Sequence, residues 1–256
     1  MYLLFIRHGD PDYTIDSLTE KGMREADLLS KRVAGWHVTD FFVSPLGRAR
    51  KTAEIAMKNT GRTAEVCDWL QEFYYPVVDP VTGNKHIPWD WLPSFFTDQA
   101  NAQLSDRDAW MHSPVMENGD IPRHFEEVCS GIDGILARYG YIRKNGIYET
   151  DGTHCQKGFL AKSTDTYKES YDDRTLVFFC HLGVTFAVLG HLLNISPVQL
   201  WQGFFIAPAS LTVLSSEERV PGTAAFRVQV LGDTQHLHDG GEQPSASGYF
   251  TDVFKQ

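Results

Sequence analysis

A chain of 256 residues has room for one large domain or for a domain carrying an insertion. Its 42% hydrophobic and 22% charged content is ordinary for a globular protein, and a formal net charge of -10 argues against a general nucleic-acid or membrane-surface binder, whose footprint is basic. A small anionic substrate is still compatible, because a few focused cations outweigh a diffuse negative surface.

The apolar run Tyr2–Ile6 predicts a short buried strand that ends in Arg7-His8-Gly9. Such a strand end presents His8 at a sheet edge with Arg7 beside it, and Gly9 permits a sharp turn or a close approach. A neutral imidazole with a guanidinium beside it suits attack on an anionic phosphorus. Asp10-Pro11-Asp12 is turn chemistry. Thr19 is placed to cap a helix whose apolar side carries Ala26, Leu28, Leu29 and Val33. Phe41–Val43 reads as the second strand, stopped by Ser44-Pro45. A helix from about Leu46 follows, with Arg48 in its first turn and Gly61 expected to close it. Ala64–Cys67 reads as a third strand with Trp69–Phe73 as its exit loop.

Residues 74 to about 118 change character. They hold five prolines together with Trp89, Trp91, Phe95, Phe96 and Trp110, and read as an irregular aromatic insertion. Phe125, Val128, Ile132, Ile135 and Leu136 predict a helix over about 121–139, and the polar stretch 140–173 reads as a loop or hairpin. The insertion as a whole spans about 74–173 in a single domain covering 1–256. Thr175–Cys180 is the strongest buried-strand signal, followed at once by His181-Leu182-Gly183 and a helix over Val184–Leu193. Pro197 starts another helix, Ser210–Leu214 and Phe226–Leu231 read as two late strands, and the tail from Asp233 reads as loop.

Strands alternating with helices predict an α/β fold, and ligands of such sheets bind at the carboxyl ends of the strands. Arg7-His8, Ser44–Arg48, Glu72 and His181 each follow a predicted strand, so the fold brings them to one rim. The cysteines Cys67, Cys129, Cys155 and Cys180 show no CxxC pair and no zinc-like spacing, which predicts free thiols, with Cys180 buried. No run reaches the roughly 20 apolar residues of a membrane span, and Met1–Ile6 lacks the length and basic leader of a signal peptide. The expected location is therefore cytoplasmic.

Arg7-His8-Gly9 resembles the signature of the histidine phosphatase superfamily, the phosphoglycerate-mutase-like enzymes. Leu18–Gly22 with Glu25-Ala26 is similar to that family's first-helix entry. Ser44-Pro45-Leu46-Gly47-Arg48-Ala49-Arg50-Lys51-Thr52-Ala53 resembles its second block, Leu70-Gln71-Glu72 the acid block, and Cys180–Val184 the second histidine block. The resemblance implies a three-layer α/β/α sandwich with a mostly parallel central sheet and an inserted lid-like region. It also implies a phosphohistidine on His8, Arg7 and Arg48 clamping the phosphate oxygens, a cationic His181 sharing that load, and Glu72 as general acid. Gly9 and Leu182 join the phosphate-binding set. Asp10 is a second candidate acid, and His236 an outer contact from the tail.

The activity implied is that of a metal-independent phosphomonoesterase of the histidine acid phosphatase type. Its partner is a small phosphorylated metabolite, with no cofactor, nucleic acid or membrane, and the oligomeric state is open. A phosphoglycerate-type phosphomutase is the alternative, and a phosphate-binding regulatory protein without turnover a second. Two departures weigh against a mutase: Phe73-Tyr74-Tyr75-Pro76 follows Glu72 where mutases carry an arginine and glycines, and Asp12-Tyr13-Thr14 stands where they commonly carry an asparagine. Trp89, Trp91, Phe95 and Phe96 are read either as core or as a lid that selects the substrate.

Overall fold

The computed structural model describes residues 1–91, 93–154 and 171–254. Its main elements are β1 (Tyr2–Arg7), α1 (Glu20–Val33), β2 (Asp40–Val43), α2 (Gly47–Ala56), β3 (Glu65–Val66), α3 (Ile121–Arg138), β4 (Ile142–Lys144), β5 (Ile147–Glu149), β6 (Thr175–Cys180), α4 (Leu182–Leu193), α5 (Pro197–Gly203), β7 (Leu211–Val220), β8 (Thr223–Asp233) and α6 (Gln235–Asp239). The eight strands form one sheet in the order β3-β2-β6-β1-β7-β8-β5-β4. β1, β6, β2 and β3 pair in parallel, while β7 pairs antiparallel with β1 and β8, and β5 with β8 and β4. Only β7 and β5 therefore run against the other six, and the sheet is mostly parallel.

Strand alternation divides the core into two layers. Leu4, Ile6, Val43, Val177 and Phe179 face α1 and α2 through Leu29, Val33, Ala49 and Ala53. Leu3, Phe5, Phe42, Leu176 and Phe178 face the other way, with Ile132 and Ile135 of α3 and Val184 and Ala187 of α4 in the same cluster. This is the expected three-layer sandwich. Phe178 stacks between Phe5 and Phe42 at centroid distances of 4.8 and 5.0 Å. Truncating it to alanine is worth about 3–5 kcal/mol.

Thr19 caps α1, its side chain accepting from the Gly22 N–H. α2 stops at Ala56, with Met57 as C-cap, so Gly61 does not close it but sits further on in a left-handed turn. Within the polar stretch 140–173, residues 142–149 form the β4–β5 hairpin, which extends the sheet through β8, and 155–170 lie outside the described residues. The late strands are longer than expected, and the tail contains α6. Cys67, Cys129 and Cys180 are free, and Cys180 is buried, whereas Cys155 lies outside the described residues. No helix among the described residues is long and apolar enough to cross a membrane.

The aromatic insertion contains a small hairpin, Val77–Val78 with Lys85–His86, and several short helices. It is largely core. Trp91 and Trp110 are buried in the larger cluster, with Phe95 and Phe96 packed against it, while Trp89 is half-buried beside Gly183.

Candidate active site

The carboxyl ends of β1, β2 and β6 carry His8, Ser44 and His181. His8 has its backbone N–H on the Cys180 carbonyl and its carbonyl on the Ala209 N–H, both at 3.0 Å. Its Nδ1 lies 2.7 Å from the Gly9 carbonyl. A carbonyl only accepts, so Nδ1 carries the proton and Nε2 keeps its lone pair. His181 stands at the N-terminus of α4 with its ring centroid 5.1 Å from that of His8. Its Nε2 is 2.7 Å from Ser44 Oγ, and its Nδ1 is buried with no partner among the described residues.

Both rings are buried, His8 at 1% and His181 at 0% exposure. Burial is the main force holding each imidazole well below its ordinary pKa; Arg7 and Arg48 reinforce it for both, and His8 adds to it for His181. Burial and the two arginines thus work against the cationic His181 that the resemblance implies.

Arg7 and Arg48 converge on the same pair of rings, but each already holds protein groups. Arg7 donates from Nη1 to the Ile206 carbonyl (2.7 Å) and from Nη2 to the Ser247 carbonyl (2.8 Å), and its guanidinium lies over Phe205. Arg48 donates from Nη1 to Asp16 Oδ1 (2.6 Å) and lies over Tyr13. The Nε atoms of both arginines are buried without a partner among the described residues. An orphaned buried donor costs about 1–3 kcal/mol, so each of these nitrogens is a candidate donor to an acceptor-rich ligand.

Glu72 follows β3 through a 3₁₀ turn over Asp68–Leu70. Its Oε1 accepts from the Phe73 N–H (2.8 Å) and from the Val184 N–H in the first turn of α4 (3.1 Å). Desolvation outweighs these bonds and the nearby Arg7 and Arg48 charges, and it raises the carboxyl above its ordinary range. Oε2 makes no hydrogen bond to a described residue and is the oxygen left to carry the proton.

Gly9 is not a free phosphate donor. Its N–H donates to Thr52 Oγ1 at 3.0 Å, because its backbone is pressed onto α1: a Cβ there would stand 2.7 Å from the Gly22 carbonyl. Leu182 opens α4 next to His181, where helix N–H groups have no intrahelical acceptor. Asp10 is engaged by Thr19 Oγ1 (2.7 Å) and Ser245, a structural use. His236 is buried on α6 beside Ala209, and burial lowers it to about 4.

Sequence reasoning missed Asp16. It sits at φ 45° between the strand pairs Pro11–Asp12 and Ser17–Leu18, and its Oδ2 also accepts from the Gly47 N–H at 2.6 Å. It missed as well the Ser247 carbonyl on Arg7, contributed by a tail tied down through Glu242 to Lys21 and Arg24. Neither has a local signal; a serine or aspartate in a polar turn reads as turn chemistry.

Residues 3–106 match the family model for the histidine phosphatase superfamily (branch 1). Over 62 residues, covering 20% of this chain and 31% of the relative's length, the chain is 40% identical to a 2,3-bisphosphoglycerate-dependent phosphoglycerate mutase from Thermoplasma acidophilum. The chain thus spans under a third of that curated relative. Among solved structures, a mutant phosphoserine phosphatase from Entamoeba histolytica in complex with phosphoserine aligns with a TM-score of 0.55 at 15% identity, covering 92% of this chain and 98% of that one. A mycobacterial glucosyl-3-phosphoglycerate phosphatase with inorganic phosphate gives 0.54 at 20% identity and 92% and 98% coverage. The alpha-ribazole phosphatase from Shigella flexneri gives 0.52 at 15% identity and 91% and 97% coverage. At these identities the likeness establishes the fold.

Proposed function

We propose that the chain is a member of the histidine phosphatase superfamily, whose family model its residues 3–106 match, and that it is a metal-independent phosphomonoesterase acting on a small phosphorylated metabolite. One observation carries this reading: the free Nε2 of His8 shares a buried rim with the unpartnered Nε atoms of Arg7 and Arg48 and the unpartnered Nδ1 of His181. A phosphoryl group supplies the acceptors these donors lack, and its transfer is governed by positioning and charge stabilisation.

In the proposed cycle His8 Nε2 attacks phosphorus and the P–O bond to the alkoxide breaks. Glu72 gives its Oε2 proton to the departing oxygen. Glu72, now ionised, takes a proton from water as the water oxygen attacks phosphorus. The P–N bond breaks, and neutral His8 and inorganic phosphate result.

The mutase reading draws on the identity to the Thermoplasma acidophilum enzyme, and Phe73–Pro76 after Glu72 weighs against it. A generic aryl phosphate assayed in chelator separates the readings. Turnover supports the phosphatase. Interconversion of phosphoglycerates that needs a bisphosphate primer transfers the assignment to a mutase. Binding of inorganic phosphate without turnover reduces the protein to a binding module. A panel headed by phosphoserine and 3-phosphoglycerate, scored by kcat/KM, then ranks the substrates.

A further inference from the structure

Gly183 is held between two tryptophans. Trp201 of α5 donates from Nε1 to its carbonyl at 3.0 Å. On the other side Trp89, from the aromatic insertion, packs so closely that a Cβ on Gly183 would stand 2.6 Å from its Nε1 and 3.1 Å from its Cε2. The same Cβ would stand 2.6 Å from Glu72 Oε1. The indole edge and the carboxyl therefore lie against one face of Gly183. The Phe73 peptide unit ties them together: its N–H donates to Glu72 Oε1 at 2.8 Å, and its carbonyl accepts from Trp89 Nε1 at 2.7 Å.

We propose that Trp89 is a positioning residue for Glu72: the indole, anchored on the Phe73 carbonyl, walls the carboxyl off from water and keeps it a proton donor. The inference rests on the reading of Glu72 as the general acid. The charged and titratable groups facing that carboxyl are Arg7 from β1, Arg48 from α2 and the Cys180 thiol at the end of β6. Both arginines and the two N–H donors favour the ionised form, so exclusion of water is the one influence on the other side, and Trp89 supplies part of it. Trp91 and Trp110 are buried elsewhere in the core, which leaves Trp89 as the insertion's tryptophan at the acid.

The test uses the full chain, Trp89→Ala and Trp89→Phe, with two phosphomonoesters: an aryl ester whose leaving group needs little protonation and an alkyl ester that needs it fully. Admitting water lowers the carboxyl's pKa, so Trp89→Ala moves the alkaline limb of kcat for the alkyl ester down by about one pH unit. It also raises the aryl-to-alkyl ratio of kcat about tenfold. Trp89→Phe, which keeps the apolar wall and loses the anchor, restores most of the wild-type profile. Superimposable limbs, or an equal loss on both esters, would overturn the proposal, because a merely structural tryptophan moves neither ratio nor limb. If wild-type protein hydrolyses neither ester, the phosphatase reading itself fails and takes this inference with it, an outcome visible before any variant is made.

Discussion

Ser44 Oγ and His181 Nε2 lie 2.7 Å apart across 137 residues of chain. Ser44 Oγ also accepts from the Leu46 N–H at 3.3 Å and keeps both a proton and a lone pair to offer Nε2. Where Ser44 donates to Nε2, the proton of a neutral His181 sits on Nδ1, the buried nitrogen with no partner among the described residues. Under the proposed function, His181 in that tautomer has one N–H to offer a phosphate oxygen.

Ser44→Ala releases that tautomer. Removing one net hydrogen bond of about 1 kcal/mol lowers kcat/KM roughly fivefold, measured by steady-state kinetics on an aryl phosphate. An unchanged kcat/KM would show that His181 is oriented by its backbone and neighbours alone.

Asp16 holds Arg48 and the first N–H of α2 at once. With Asp16→Ala the guanidinium loses its charged partner, and kcat/KM is expected to fall roughly tenfold, the worth of a hydrogen bond between charged groups. The inhibition constant for inorganic phosphate should rise in step. An unchanged inhibition constant would mean that Arg48 is fixed without Asp16 or does not hold phosphate.

Buried titratable groups set the pH dependence of stability, and two sets oppose each other. His8 and His181 are held well below the ordinary 6.5, and His236 at about 4. The unfolded chain therefore gains protons that the native one refuses, and stability is lost as pH falls below about 6.5. Glu25 has the opposite sign. Its carboxyl is wholly buried and raised to about 7, burial outweighing the Asp10 N–H and the Lys21 ammonium, so stability is lost as pH rises from the ordinary 4.5 towards 7. Glu72 shares that sign. Replacing Glu25 with glutamine removes one counterweight, and the melting temperature of Glu25→Gln should fall more steeply than wild type from pH 7 to 5. Parallel curves would show that the Glu25 carboxyl is ionised in the native protein.

The strand ends were legible because three hydrophobic runs each stop at a chemically loaded residue: Ile6 before Arg7-His8, Val43 before Ser44, Cys180 before His181. Which face each strand residue takes was not, since Leu3 to Ile6 are buried on both sides of the sheet and show no polar alternation. The same limit applies to the insertion. Trp89, Trp91 and Trp110 look alike as letters, and only packing separates the residue beside Glu72 from the two in the core. Asp16 stayed hidden because its partner Arg48 is 32 positions away and a turn aspartate has a sufficient local explanation. The burial that works against a charge on His181 was hidden for a related reason: spacing locates a histidine but does not report how completely it is desolvated.

The most direct measurement is the mass of His8 after brief mixing with a phosphomonoester and rapid quench at neutral to alkaline pH, where phosphohistidine survives. Wild type should carry an acid-labile phosphoryl group on His8, Glu72→Gln should accumulate it if hydrolysis of the intermediate slows more than its formation, and His8→Ala should carry none and turn nothing over. Turnover by wild type with His8 never labelled, or label persisting in His8→Ala, would contradict nucleophilic attack by this buried imidazole.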